Sequence, residues 1–369
     1  MTEAFVHRFI AAKKLMAKRK ISPALFILLL ACLAGCKSPS PHPKITVIGR
    51  GHLPDIASGE DGKQHIVFGS SDSIFYALSK DEGSTFMPPA LVAVLPGLAA
   101  AAMRGPQIAV TQSGLVVLAG THAGNLYAFT KSGDQPWSPA VNVTDKDSVN
   151  LEQFTDLAAE GNHVFAVWLD LRDDHRNKIY GALSKDGGQH WSANRLVYKS
   201  PDSTVCQCCK PGTVMKDGKV YVMFRNWLDG NRDFYLAESG DNGETFHNPV
   251  KLGSGSWALN GCPMDGGAIT IDGNDQPQTI WRRKDLLFTA TTGIPEIPVA
   301  SGRNPAITSI DNHNVFAWVK DDSIQLRKSN GNTVLLGKGT LPRLAAAGHK
   351  IWCSWEDEGQ ILSALVDPD

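Results

Sequence analysis

The sequence lacks a surplus of charge of either sign: 36 Lys and Arg stand against 37 Asp and Glu. A chain that neutralises phosphates needs a basic face, so nucleic acid is not an expected partner. No G-x-x-x-x-G-K, H-E-x-x-H or G-x-S-x-G occurs, which removes the phosphate-loop, zincin and α/β-hydrolase readings. No helical periodicity of any length appears after residue 35. Only one apolar run is long enough to interest a membrane, and it lies near the N-terminus, so a polytopic helical membrane protein is excluded as well. Glycine is abundant, 35 of 369 residues, in a chain that is 42% apolar and 20% charged. That composition is globular. The length holds one large β architecture or two to three ordinary domains.

Lys18-Arg19-Lys20 precede the apolar run Ile21 to Leu33. A positive segment followed by a short apolar one reads as a signal peptide over residues 1–35, starting at Met1 or Met16. It ends in Leu33-Ala34-Gly35-Cys36, which resembles the lipobox of bacterial lipoproteins. The resemblance implies cleavage before Cys36, lipidation (palmitate among the acyl groups) on Cys36 and anchoring in the cell envelope. In a Gram-negative host, Lys37 in place of Asp implies the outer membrane. Residues 36–43 form a stiff Pro/Ser linker, and residues 44–369 are expected to be one domain. Residues 1–35 hold six basic and one acidic side chains, leaving 30 against 36 and a net charge of −6. The lipid alone would hold such a chain to the membrane.

The rest of the chain repeats. Ser79 to Phe86, Ser184 to Trp191 and Ser239 to Phe246 share the pattern S-x-D-x-G-x-x-F/W, and weaker copies lie at 130–137 and 328–334. Each strong copy follows a strand-like run such as Ile74 to Leu78. The spacing predicts a hairpin turn: the Asp accepts backbone N–H groups, the Gly takes positive φ, and the aromatic packs between sheets. Asp81, Asp186 and Asp241 are therefore structural. The pattern is similar to the Asp-box repeats of sialidase-type β-propellers. A second marker opens each unit, at Leu53, Gly105, Phe154, Pro211, Asp265, Asn304 and Leu341. Seven starts imply seven four-stranded blades, with six as the alternative that sialidases suggest. The last unit has room for three strands, so Lys44 to Ile48 is expected to supply its fourth and close the ring.

In such blades the first strand begins and the second ends on the face opposite the Asp-box turns. Residues gathered there form a candidate ligand-binding mouth: His52, Asp55, Arg104, Asp156, Arg225, Asn226, Asp265, Arg282 and Arg343. About half are expected to be salt bridges between blades. Asp170, Arg172, Arg225 and Arg282 are the candidates for catalysis. Asp170 and Arg172 also suit each other, and Arg225 with Arg282 suits an anion clamp.

The sialidase resemblance implies three carboxylate-binding arginines, a Tyr nucleophile and an acid/base Asp. His52-Leu53-Pro54 stands where that family has Arg-Ile-Pro, and the last tyrosine is Tyr235. Half of the pair needed for retaining chemistry is missing. The expectation is a non-hydrolytic, monomeric envelope protein binding a glycan, peptide, envelope protein or metal. An exo-glycosidase of sialidase type is the alternative.

Seven cysteines are present. Cys353 lies in a strand pattern as a small buried residue. Cys206-x-Cys208-Cys209 and Cys262-Pro-Met-Asp265 open adjacent units on the same face and resemble a mark of bacterial sialidase-like repeat proteins. An exported chain favours disulfides, with Cys262 joined to Cys206 or Cys208. The same four sulfurs suit Cu or Zn, and a redox-active pair is the third reading, which would make this a thiol- or copper-handling protein.

Overall fold

The computed structural model describes residues 43–202, 204–310 and 312–369. The expected signal peptide, lipidated Cys36 and Pro/Ser linker before Pro43 lie outside the described residues. Among the described residues no helix is long and apolar enough to cross a membrane.

Second strands such as Val164-Phe-Ala-Val-Trp168 and Ile351-Trp-Cys-Ser-Trp355 are apolar on both faces, which suits a strand with a sheet above and below it. Trp168, Trp352 and Trp355 are fully buried there. Stacking such strands in a ring gives seven antiparallel sheets, a seven-bladed β-propeller. Blade one runs through His52–Ser58, Gln64–Ser70, Ser73–Ser79 and Ala90–Val94. Blades two to six repeat that order, opening at Gln107, Thr155, Gly212, Ala268 and Arg303. Fourth strands face outward, and Val94, Val250, Ile297 and Leu335 are exposed.

Blade seven is built from both ends of the domain. Thr340–Ala347, Lys350–Asp357 and Gln360–Val366 receive Ile45–Arg50 as the fourth strand, antiparallel to the last one. Ile48 is buried with Phe68, Trp352 and Ile361, so the closing strand is also packed. The expected ring closure holds, and the expected seven blades are present.

Blade four is irregular. Its hairpin, Lys219–Leu228 and Asn231–Ser239, is the longest, and Thr204–Val205 pairs with Trp227 and Asn226 at its outer end. A strand-poor excursion of residues 252–267 then leads into blade five.

The three strong turn motifs share one network. Ser79, Ser184 and Ser239 each accept the N–H of the glycine four residues on at 2.8 Å. Asp81, Asp186 and Asp241 accept the N–H of Thr85, His190 and Thr245 at 2.8–2.9 Å. Hydroxyl and amide donors hold the Asp81 and Asp241 carboxyls at about 2. Gly83 and Gly243 have φ of 80° and 88°, and a Cβ there would run into Trp352 and Phe165 of the preceding blade.

Candidate functional site

First strands enter at the ring axis, and their opening residues interlock. Asp55 accepts the N–H of Ile108 at 2.9 Å, Asp156 that of Thr213 at 2.8 Å, and Asp265 that of Asn304 at 3.2 Å. An acid at the entry of blades one, three and five thus holds the first strand of the next blade. Lys210 plugs the centre, 2.8 Å from Gln107 Oε1 and 2.5 Å from Asp156 Oδ1. Arg343 faces Asp55 at 3.6 Å. Burial pushes the Asp55 and Asp265 carboxyls up, against the pull of Arg343 and Arg282, and pushes Lys210 down. Asn304 reaches Met103 Sδ at 3.7 Å, linking blade six to the segment before blade two.

Of the proposed mouth residues, Asp55, Asp156, Asp265 and Arg343 therefore meet at the axis as blade-to-blade links. Arg104 stacks on Phe154 at 4.1 Å and donates to the Glu152 carbonyl at 2.7 Å.

The four catalytic candidates fall into two pairs: Asp170 and Arg172 bind each other in blade three, as their spacing suggested, and Arg225 meets the Arg282 backbone between blades four and five. Asp170 is fully buried, accepting from Trp168 Nε1 at 2.9 Å and pairing with Arg172 at 2.8 Å. Arg172 reaches outward to Asp145 at 3.0 Å and lies over Tyr180. Asn226 is buried with its amide on the Tyr198 hydroxyl at 2.9 Å. Arg225 and Arg282 form no anion clamp. Arg225 is 2% exposed and donates to the carbonyls of Arg232 and Arg282. Arg282 is bound by Asp265 at 2.5 Å and by the Pro263 carbonyl at 2.7 Å. Trp257 covers both guanidinium groups. The physical reason is chain direction: ends of second strands in blades three to five point into the seams between blades, where backbone carbonyls and carboxylates take up the guanidinium N–H groups, Arg225 Nε alone among them being buried without an acceptor.

The open part of the face lies where blade seven meets blade one. His52, Leu53, Ala100–Ala102, Thr340, Leu341 and Glu356 line a cleft of about 590 Å³ of empty space, open solvent included. Glu356, at the end of a second strand, accepts from the Leu53 N–H at 3.1 Å and lies 2.7 Å from His52 Nδ1. Leu53, Ala102 and Leu341 all adopt left-handed backbone, with φ of 54°, 50° and 53°. Side-chain-bearing residues seldom accept that conformation unless their surroundings fix it, and such residues gather at binding sites. The lining was only half legible: His52 and Glu356 sit in strand patterns, whereas Ala100–Ala102 belong to an Ala-rich stretch without periodicity.

The cysteines form a third feature, between blades four and five. Cys208 and Cys262 are joined in a disulfide across 54 residues, a link worth about 4 kcal/mol in the chain-entropy model. Cys206 and Cys209 are free and buried, their sulfurs 3.1 Å apart. The sulfurs of Cys206, Cys208 and Cys209 lie within 4.8 Å of one another. A Cu or Zn ion using Cys208 would need the disulfide opened first. The hydrogen bond with Cys209, helped by the Arg225 and Arg232 charges, brings the Cys206 thiol down to about 6 against its burial. Burial pushes Cys209 well up.

No protein-family model matches the chain, and no curated protein matches it. Solved structures do. The BP39L lectin from Burkholderia pseudomallei superposes with a TM-score of 0.64 at 11% identity, covering 87% of this chain and 97% of its own. An ulvan lyase of polysaccharide lyase family PL25 follows at 0.54 and 10%, covering 88% and 96%. The GH93 α-L-arabinofuranosidase of Fusarium graminearum gives 0.50 and 9%, covering 88% and 97%. The likeness is one of fold. At these identities it carries no residue from those proteins onto this one.

Proposed function

We propose that the protein is an envelope-anchored propeller that binds a glycan in the cleft between blades seven and one without cleaving it. One observation carries the reading: Glu356 is the single carboxylate lining that cleft. Hydrolysis of a glycosidic bond by the usual route needs two carboxyl groups flanking it. Glu356 is already held by His52 and the Leu53 N–H. Asp55, Asp156 and Asp265 are engaged as blade links at the axis. A sugar presents an apolar C–H face and a rim of hydroxyls. Leu53, Leu341 and the alanines suit the first, and His52 with Glu356 suits the second. That a lectin and two carbohydrate-active enzymes share the fold supports the substrate class.

Binding of the purified protein to a panel of neutral and acidic oligosaccharides is the test, read by calorimetry with a parallel assay for released sugar, sialosides included. At least one glycan class should bind, lose at least tenfold affinity in Glu356→Ala, and release nothing above background. Silence across the panel refutes binding, and turnover that disappears with Asp55→Asn would install the exo-glycosidase in its place.

The anchor belongs to the same proposal. Cys36→Ser should leave an unprocessed precursor and abolish acyl labelling in the envelope fraction. Normal maturation of that variant would remove the lipoprotein reading.

A further inference from the structure

Positive charge is unbalanced between blades four and five. Arg225 and Arg232 are 2% and 5% exposed, and no carboxylate pairs with either among the described residues. Arg225 donates to two backbone carbonyls, and Arg232 donates to the Leu259 carbonyl at 3.3 Å and to Cys206 Sγ at 3.1 Å. The nearby acids are committed elsewhere: Asp265 to Arg282, and Asp233 to Lys251 and the Trp257 N–H. A buried cation without a counter-ion is costly. Among the described residues the one acid in contact with Arg232 is the Cys206 thiol, and its ionisation supplies the missing negative charge. An electropositive surround of this kind is what makes a thiol nucleophilic.

That sulfur has a target. Cys206 Sγ lies 3.7 Å from Cys208 Sγ, one half of the Cys208–Cys262 disulfide. The other half sits on an exposed loop, where Asn260, Gly261, Cys262 and Met264 are all open to solvent. The buried sulfur and the exposed one are thus connected through a single disulfide.

We propose that Cys206 and the Cys208–Cys262 disulfide form a thiol–disulfide exchange centre that delivers a reactive thiol to the protein surface at Cys262. The Cys206 thiolate attacks Cys208 Sγ, the Cys206–Cys208 bond forms, the Cys208–Cys262 bond breaks, and its electron pair leaves on Cys262, which takes a proton from solvent. The step is an isomerisation that consumes no oxidant or reductant. It removes the negative charge beside Arg225 and Arg232, so the resting equilibrium favours Cys208–Cys262 and an electrophile at the surface draws the exchange forward. The class of substrate is a thiol-reactive electrophile or an exposed disulfide on another molecule. Opening the bond also frees the loop that carries Asp265 to the axis.

The test uses the full chain, never reduced, treated in its native state with iodoacetamide. It is then unfolded in excess N-ethylmaleimide, and its non-reduced peptides are mapped by mass spectrometry. The expected product carries the acetamide on Cys262, a Cys206–Cys208 disulfide and maleimide on Cys209. Cys206→Ser should leave Cys262 unlabelled. Arg232→Gln, which keeps every cysteine, should slow labelling about tenfold at neutral pH because it removes the cation beside the attacking sulfur. Cys209→Ser should still label. The proposal fails if the Cys208–Cys262 bond survives with maleimide on Cys206 and Cys209, if the acetamide lands on Cys206 with that bond intact, or if Cys262 is labelled equally in folded Cys206→Ser.

Discussion

Lys210 decides whether the propeller's centre is a structural plug or a binding group. Lys210 is 9% exposed, and its ammonium bridges blades two and three through Gln107 and Asp156, with Asp55 and Arg343 as further charged neighbours. Lys210→Met keeps the length and apolar stem of the side chain and removes only the charge. Asp156 then retains the Thr213 N–H at 2.8 Å but loses its counter-ion in a nearly closed site. Breaking a buried pair from one side costs about 3–5 kcal/mol. For a propeller of this size, whose unfolding entropy scales with chain length, that corresponds to about 4–7 °C in melting temperature. Adding Asp156→Asn should restore part of the loss, with a coupling energy of about 1–3 kcal/mol, because no charge is then left unpaired. Thermal unfolding of wild type, both single variants and the double variant measures the cycle. A loss below about 1 kcal/mol in Lys210→Met, the range of solvated surface pairs, would refute the plug and make Lys210 a candidate ligand-binding group.

Two further outcomes follow from packing and burial. Deleting residues 44–48 removes buried Ile48 and most of the ladder to Gln360–Val366, and should cost about 4 kcal/mol or more, read as a lower melting temperature; a deletion variant melting with wild type would refute closure by this strand. His65 is 7% exposed, its Nδ1 2.7 Å from the Tyr76 hydroxyl, and burial pushes its pKa from 6.5 down to about 4. The unfolded chain binds this proton first, so stability is full above pH 6.5 and falls as pH drops toward 4, by about 2 kcal/mol at pH 5. The melting-temperature gap between wild type and His65→Gln should therefore change by about 3 °C between pH 7.5 and 5, and a constant gap refutes the burial argument.

The ring was legible because its rules are local. Val164 to Trp168 is apolar at every position since the strand is covered twice, and Ser184-x-Asp186-x-Gly188 closes a turn with hydrogen bonds inside a few residues. Closure by Lys44 to Ile48 followed from counting strands. The mouth was legible only as a list. Sequence places Arg225 at the end of a second strand, but whether its guanidinium faces the axis or the neighbouring blade depends on twist and on what covers it. The covering residue, Trp257, lies in an excursion with no strand period. The same limit hid the cleft, because Ala100–Ala102 carry no pattern and their value lies in small size beside left-handed Leu53 and Leu341. His52 illustrates the consequence. Read against a sialidase-like pattern it is an arginine lost; in the folded ring it lies against Glu356 from the other end of the chain, at the seam where the ring closes. Substituting His52 by Arg would therefore meet a carboxylate already held by the Leu53 N–H. It should strengthen the seam as an ion pair without creating a free anion-binding arginine.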